Sequence, residues 1–165
     1  LGSIGQRVAQ FGQVFGMRVI AWSENLTAER AAQVGVTYVS KQELFEQADI
    51  LSVHLVLSDR SRGLVDAQAL GWMKPTALLV NTARGPIVDE AALIKALQKQ
   101  RLAGAALDVF EQEPLPGHHP FRTLDNVLAT PHVGYVSQQN YQQFFSQMIE
   151  DIQAWSAGAP IRLLA

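Results

Sequence analysis

The sequence predicts an α/β fold in which helices cover both faces of a doubly wound parallel sheet. Short apolar runs of strand length alternate with amphipathic stretches, and the links between them are short. The apolar runs are nearly continuous, which is typical of strands that are buried on both faces. A glycine-rich turn, Gly2-Ser3-Ile4-Gly5, opens the chain directly before the first amphipathic stretch.

The first half of the chain predicts helices and strands in regular alternation. Apolar residues at helical spacing predict a helix that ends at Gly16, and residues 17–22 predict a buried strand. A second short apolar run, 36–39, is followed by Ser40 and Glu43. Their spacing is that of a capping box and predicts the start of the next helix.

The second half continues this pattern and ends in a long helix. Asp89 is in position to cap a helix that extends to about Gln100, and Ser137 is a candidate N-cap for the last helix. The remaining predicted elements are strands at 50–55, 77–80, 102–109 and 127–129 and a helix through Leu70. One face of the last helix is apolar: Tyr141, Phe144, Phe145, Met148, Ile149, Ile152 and Trp155.

The composition excludes several classes of protein. With 48% hydrophobic and 17% charged residues the chain can bury a core, so disorder is not expected. A net charge of −2 offers no basic surface for nucleic acid, and no apolar run approaches the length that spans a bilayer. The sequence has no cysteine, which fits a cytoplasmic protein. We expect neither a nucleic-acid nor a membrane partner.

The glycine turn resembles the tail of a G-x-G-x-x-G dinucleotide-binding fingerprint. Gly2 would let the backbone approach a pyrophosphate, and Gly5 would let helix and strand pack closely. The turn alone fits any tight connection equally well. Because no strand precedes it, we interpret residues 1–165 as a dinucleotide-binding domain whose Rossmann-like sheet lacks its first strand.

The residue that would contact the adenosine ribose is Ser23. The fingerprint expects an acidic residue roughly 20 positions after the turn, and Ser23 stands there, directly before Glu24. Serine accommodates either a ribose hydroxyl or a 2′-phosphate, but no arginine follows at once and Glu24 would repel a phosphate. The sequence therefore favours NAD and leaves NADP possible.

Three segments that follow predicted strands carry candidate catalytic and binding residues. Arg84 precedes Gly-Pro and suits a bidentate clamp on a carboxylate, although a lone arginine more often pairs with a structural acid. Asp108 lies at a strand end, where it can accept from a nicotinamide amide, and Glu113 precedes a proline-stiffened loop. His132 suits proton transfer near neutral pH.

The other histidines are interpreted as structural or solvent-exposed. His54 and the adjacent pair His118-His119 have no spacing to further ligands that would indicate a metal site. We therefore expect no metal centre. Glu111 is interpreted as a solvated acid of the same loop as Glu113.

The motifs G-S-I-G, N-T-A-R-G-P-I-V-D-E, A-L-D-V-F-x-x-E-P-L-P and T-P-H-x-G, in this order and spacing, resemble the D-2-hydroxyacid dehydrogenase family over nearly the whole chain. The resemblance implies that Arg84 binds the substrate carboxylate and polarises the carbonyl, that His132 is the acid/base and that Glu113 is its charge partner. Asp108 would hold the nicotinamide. The residues that would line the cofactor are Gly2, Ser3, Ile4, Gly5, Ser23, Thr82, Ala83 and Gly134.

The implied reaction is hydride transfer between NAD(P)H and a 2-oxo acid or a D-2-hydroxy acid. His132 would donate a proton to the developing alkoxide, and Glu113 would favour its imidazolium form. The resemblance also implies a homodimer and a separate substrate domain, which this sequence lacks. We therefore expect the isolated fragment to show little turnover.

Three departures from the family pattern bear on specificity, since none removes a reacting group. The family often has H-x-P-x-T where His54 is followed by residues 55–58, which read Leu-Val-Leu-Ser. Tyr135 replaces a glycine, and Ser23 replaces the ribose-binding aspartate.

Three alternatives stay open. One is an NAD-sensing module like the corepressors built on this fold, which share the three catalytic residues. Another is an inactive truncated remnant. Formate dehydrogenase is a nearer rival, but that enzyme is expected to carry glutamine where Glu113 stands.

Overall fold

The computed structural model describes residues 1–163, and its strands form parallel sheets flanked by helices, which confirms the predicted fold class. One sheet pairs β1 (Ile20–Ala21) with β2 (Thr37–Tyr38). The other contains, in this order, β3 (Ile50–Val53), β4 (Leu78–Asn81), β5 (Gly104–Leu107) and β6 (Val127–Ala129). Within residues 1–163, no strand pairs with the second edge of β1 or of β3.

Residues 1–163 contain six α-helices: the first precedes β1, and the others connect the strands or follow them. They are α1 (Ser3–Val14), α2 (Ala28–Ala32), α3 (Lys41–Gln47), α4 (Ala67–Trp72), α5 (Glu90–Gln98) and α6 (Gln138–Ser156). None of them is both long and apolar enough to cross a bilayer.

The helix boundaries that rest on side-chain caps are where the sequence predicts them. Ser40 and Glu43 form the full capping box at the start of α3. The Asp89 carboxylate accepts from the Ala92 N–H at the start of α5, and the Ser137 hydroxyl accepts from the Asn140 N–H in α6. Each cap satisfies a backbone donor that the first helical turn leaves without an internal partner.

The prediction of a helix through Leu70 was too long, because residues 58–63 form turns and α4 begins only at Ala67. The buried Ser61 hydroxyl donates to the Val56 carbonyl, and it also accepts from the Ser58 N–H. A side chain that satisfies local backbone groups in this way competes with helix formation. The short helix α2, capped by Thr27, was not predicted.

One face of the larger sheet carries the main core. Leu51, Val53, Leu79 and Leu107 point to that face and pack in one cluster with Phe45 of α3, Leu70 of α4 and Leu93 and Leu97 of α5. Residues at alternate positions, such as Ile50 and Leu78, are exposed on the opposite face. The core therefore fixes β3 to β6 through α3, α4 and α5.

Helix α1 packs through its small residues. Gly5 and Ala9 are its buried positions, whereas Phe11 and Phe15, which the helical spacing groups with Ile4 and Val8, are 65% and 77% exposed. Gly5 packs closely against the residue that follows β3: a Cβ placed on Gly5 would lie 3.6 Å from Cβ of His54. The N-terminus of α1 is thus held beside the end of that strand.

Residues Val133–Ala165 form a second compact unit, separate from Leu1–His132. It consists mainly of α6, none of whose residues is buried. Arg162 forms ion pairs with Glu150 and Asp151, so the segment after the helix folds back along it.

Candidate active site

The register of the larger sheet brings the functional segments to one edge. Four strand-end residues lie side by side: Val53, Asn81, Leu107 and Ala129. The segments that carry Arg84, Glu113 and His132 follow β4, β5 and β6, which are neighbours in the sheet. Parallel strands end at a common edge, and that edge is where α/β folds bind ligands.

Glu113 and His132 form a hydrogen-bonded pair at this edge. The distance from Nδ1 of His132 to Oε2 of Glu113 is 2.6 Å, and the two side chains are 35% and 36% exposed. The other carboxylate oxygen, Oε1, accepts from the Phe110 N–H at 2.9 Å. The carboxylate is therefore fixed at both oxygens, and it orients the imidazole in turn through Nδ1.

The backbone of His132 is strained. Its φ of +54° lies in the left-handed region, which costs a residue with a Cβ about 1–2 kcal/mol. The strain is held by a tight turn, since the His132 N–H donates to the carbonyl of Thr130 at 3.0 Å across Pro131. Such strain at a site of chemistry indicates that the direction of the side chain matters.

The environment of Glu113 favours its charged form. Burial raises the pKa of the carboxyl, but the hydrogen bonds from His132 and Phe110 and the positive charges of His132 and Arg84 lower it. Together the contributions that lower the pKa outweigh the effect of burial, so the pKa of Glu113 lies below its usual range. Arg84 and His132 thus both act electrostatically on one carboxylate.

We expect the Glu113 carboxyl to titrate below the ordinary glutamate value of about 4.3. Because its pKa is lowered in the folded state, its contribution to stability is present above the unfolded value and is lost as the pH falls through the folded value. In His132→Gln the pKa should rise, since a charge and a hydrogen bond are removed. Carboxyl ¹³C NMR measures both titrations.

His118→Gln is the matched control for that measurement. His118 lies in the same loop and is exposed, so its replacement should leave the Glu113 titration unchanged. If the carboxyl titrates identically in wild type and His132→Gln, the two side chains do not form the pair described above.

Asn81 shapes the loop that carries Arg84. Its side chain is 1% exposed at the end of β4, where it accepts from the Ala83 N–H and donates to the Arg84 carbonyl, each at 3.0 Å. The guanidinium of Arg84 is exposed and donates to the carbonyl of Ala83. It makes no salt bridge with a carboxylate of residues 1–163, so the alternative of a structural arginine has no partner there.

Asn81→Ala should lower the free energy of unfolding by about 2–4 kcal/mol, because two hydrogen bonds are lost and their backbone partners stay at a buried site. Denaturant unfolding followed by circular dichroism measures the difference. The exposed Asn25 provides the control: Asn25→Ala should change stability by less than about 0.5 kcal/mol. Equal stability of the two variants would contradict a loop-forming role for Asn81.

Asp108 is buried at the end of β5 and is oriented by its neighbours. Its backbone N–H donates to the Asn81 carbonyl, and its Oδ1 accepts from the Thr130 hydroxyl at 2.5 Å. These bonds link the ends of β4, β5 and β6. Asp108 is therefore held where the sequence places a cofactor-binding carboxylate.

The start of α1 fits a pyrophosphate. Gly2 is the N-cap, and the first turn has no side-chain cap and no acidic residue. The N–H groups of this turn point out of the helix, and the helix dipole favours an anion there. Apart from Gly2 itself and its neighbours Leu1 and Ser3, no atom of residues 1–163 lies within 4 Å of a Cβ placed on Gly2, so there is room for a bound group. Ser3 and Ile4 of the predicted cofactor set are exposed beside it.

The other predicted cofactor residues are distributed over several elements. Ser23 follows β1 and is half-buried, and Thr82 and Ala83 lie in the loop after β4. Gly134 is exposed and belongs to the second unit, Val133–Ala165. Residues 1–163 contain no group of three side chains able to hold a metal ion.

The sequence did not indicate the contacts that three further residues make at or beside this edge. Asn81 and Glu90 are present in the sequence motifs only as letters. His119 was interpreted as structural, and it does have a partner: its Nε2 lies 3.0 Å from Oε1 of Glu90.

Comparisons with known proteins identify the family of the chain. Residues 1–134 match the family model described as D-isomer specific 2-hydroxyacid dehydrogenase, NAD binding domain. Glyoxylate reductase from Aeropyrum pernix is 42% identical over 158 residues, which are 96% of this chain and 47% of that protein. The chain thus spans about half the length of that relative.

Solved structures give the same result. The phosphoglycerate oxidoreductase from Vibrio cholerae matches with a TM-score of 0.90 and 42% identity, over 96% of this chain and 51% of that one. The D-lactate dehydrogenase from Aquifex aeolicus, complexed with NAD and lactic acid, matches with a TM-score of 0.83 and 29% identity, over 96% and 52%. The chain belongs to the D-isomer specific 2-hydroxyacid dehydrogenase family, and residues 1–134 match the model of that family's NAD-binding domain.

Proposed function

We propose that this chain is the cofactor-binding part of a dehydrogenase that interconverts 2-oxo acids and D-2-hydroxy acids. The observation that carries the proposal is the Glu113–His132 pair, at the same sheet edge as the Arg84 loop. A proton donor beside a cation is what reduction of a carbonyl next to a carboxylate requires.

Each of the three side chains has a distinct role. The exposed guanidinium of Arg84 binds the substrate carboxylate in a bidentate manner and stabilises negative charge that develops on the carbonyl oxygen. His132 gives its Nε2 proton to that oxygen during reduction and takes it back during oxidation. Glu113 holds the ring through Nδ1 and stabilises the imidazolium.

NAD, when bound, accepts or supplies the hydride. The chain's own residues would position it: the first turn of α1, Gly2 to Gly5, would hold the pyrophosphate, and Ser23 would bind the ribose. Asp108, oriented by Thr130, would accept from the nicotinamide amide. The carboxylate of Asp108 is buried, so its direction does not depend on solvent.

The substrate class is a small 2-oxo acid with a free carboxylate. The names of the similar proteins include a glyoxylate reductase, a phosphoglycerate oxidoreductase and a D-lactate dehydrogenase. These substrates differ beyond C2 but share the carboxylate and the oxygen on C2, the two groups that Arg84 and His132 contact in this proposal.

We also propose that the working enzyme is a homodimer.

The experiment that tests the proposal replaces the 158 matching residues of the Aeropyrum pernix glyoxylate reductase with those of this chain. We expect the chimera to oxidise NADH in the presence of glyoxylate, hydroxypyruvate or pyruvate, and Arg84→Gln to abolish most of that rate. The 165-residue chain alone should bind NADH, measured by nicotinamide fluorescence, with little turnover. A folded chimera that binds NADH but reduces none of the three acids would contradict the proposal.

A further inference from the structure

A second histidine–carboxylate pair lies behind the candidate active site. Nε2 of His119 is 3.0 Å from Oε1 of Glu90, and the two side chains are only 14% and 20% exposed. Glu90 is the first residue of α5, six positions after Arg84, and His119 belongs to the loop between β5 and β6 that also carries Glu113. The pair therefore connects the two loops that hold Arg84 and Glu113.

The protonation of His119 is fixed by its second contact. Its Nδ1 accepts from the backbone N–H of Phe121, a group that can only donate. The ring proton is therefore on Nε2, where it donates to Glu90. The ring also lies against the buried Phe121, with centroids 4.8 Å apart. These contacts give His119 one orientation and one tautomer.

Two groups contact the peptide bond between Phe110 and Glu111, and a third binds the N–H directly before it. The other oxygen of Glu90, Oε2, accepts from the Glu111 N–H at 3.2 Å. A Cβ on Gly85 would lie 2.0 Å from the Phe110 carbonyl carbon, so the chain at Gly85 packs directly against this peptide. The preceding N–H, that of Phe110, is the one that binds Glu113.

This peptide is thus shared by both catalytic loops. Gly85, in the loop that carries Arg84, and Glu90, at the start of α5, contact it from one side. The N–H that binds Glu113 belongs to the preceding peptide unit, which joins this one at Cα of Phe110. If the 110–111 peptide shifts, Cα of Phe110 shifts with it, and the Phe110 N–H moves out of line with Oε1 of Glu113. The carboxylate then no longer holds His132 in one direction. A displacement of about 1 Å in reacting groups can cost on the order of 100-fold in rate.

We propose that Glu90 and His119 are positioning residues that lock the 110–111 peptide and so align Glu113 with His132. This inference rests on the proposed function only for its catalytic consequence. The structural part concerns the state of Glu113, which can be measured in the 165-residue chain without substrate.

Two matched substitutions separate the contacts of His119. In His119→Asn, the amide oxygen can replace Nδ1 as the acceptor for Phe121, but the side chain is too short to reach Glu90. In His119→Gln, the amide nitrogen can replace Nε2 and still donate to Glu90. Glu90→Gln keeps the size of the side chain but offers one acceptor oxygen to two donors.

The first readout is the titration of Glu113, followed by carboxyl ¹³C NMR in the 165-residue chain. Loss of the Phe110 hydrogen bond removes a contribution that lowers the pKa of Glu113, so the titration midpoint should move up in Glu90→Gln and His119→Asn. His119→Gln should restore the wild-type value. Removal of the negative charge of Glu90 would by itself move the midpoint down, so the sign distinguishes positioning from simple electrostatics.

The second readout is kinetic and uses the chimera described above. Glu90→Gln and His119→Asn should lower kcat about 10- to 100-fold while the Kd for NADH changes less than about twofold. His118→Gln, an exposed neighbour, should have no effect. Thermal unfolding of each variant verifies that it is folded.

A midpoint for Glu113 that is unchanged or lower in folded Glu90→Gln or His119→Asn overturns the inference. So does a kcat within about twofold of the parent chimera, which would show that no reacting group has moved. If the parent chimera itself has no turnover, the proposed function fails, whereas the NMR titration still decides whether the two residues position Glu113.

Discussion

His132→Ala should lower kcat for 2-oxo acid reduction at least 100-fold, within the range of about 10² to 10⁴ that a positioned acid/base contributes. The reason is geometric as well as chemical. Nδ1 is bound to Glu113 at 2.6 Å, so the ring is held in one orientation, and Nε2 is the nitrogen that exchanges the proton in the proposed mechanism. Stopped-flow or steady-state NADH oxidation by the chimera measures the change. The Kd for NADH should stay within about twofold, since the imidazole acts on the substrate.

The strained backbone of His132 requires a companion variant. Alanine at a φ of +54° is itself strained, whereas asparagine tolerates the left-handed region better. His132→Asn therefore preserves the turn and removes only the titrating group. Similar losses in both variants would assign the effect to proton transfer. A loss below tenfold in folded His132→Asn would contradict the role of His132.

The sequence was sufficient to predict that Arg84, Glu113 and His132 come together, because each follows a strand and parallel strands end at one edge. It did not reveal how Glu113 is fixed. The contact with Phe110 depends on how the loop of residues 108–114 turns back on itself, and no periodicity or spacing encodes that path. Sequence patterns therefore do not predict tertiary contacts between irregular segments.

Glu90 and His119 illustrate the same limit. Each has a good local explanation: Glu90 lies in the first turn of a helix, where acids are favoured, and His119 caps the short 3₁₀ turn Pro120–Arg122. Their pairing connects residues 29 positions apart. Only the fold shows that the two local roles are combined in one contact.

The helix ends were the most accurate predictions of the fold, and the reason is physical. A cap such as Ser40 or Asp89 acts over three residues and is visible in the sequence. The helix predicted through Leu70 failed because Ser61 binds the backbone of its own loop, an outcome that its residue type permits but does not require. Burial on α1 likewise depends on close approach at Gly5 and Ala9, which hydrophobicity alone does not indicate.

Gly85→Ala should strongly destabilise the protein, because it adds a methyl group where the backbone of a second loop leaves no space. Its Cβ would lie 2.0 Å from the carbonyl carbon and oxygen of Phe110 and 2.6 Å from the Glu111 nitrogen, all backbone atoms that cannot rotate away. Overpacking of a core usually costs about 1–3 kcal/mol, and a clash with backbone lies at or above the upper end of that range. Chemical denaturation should therefore show a loss of about 3 kcal/mol or more in the free energy of unfolding.

Gly71→Ala is the matched control, because nothing lies within 4 Å of a Cβ placed at this exposed position in α4. There the extra methyl group should be neutral or should stabilise the protein by up to about 1 kcal/mol, through the lower entropy of the unfolded chain. The two variants should thus differ in sign as well as size. If Gly85→Ala is as stable as Gly71→Ala, the loops of Arg84 and Glu113 do not touch at the 110–111 peptide. The coupling between the two loops would then lose its physical basis, whatever the kinetic role of His132.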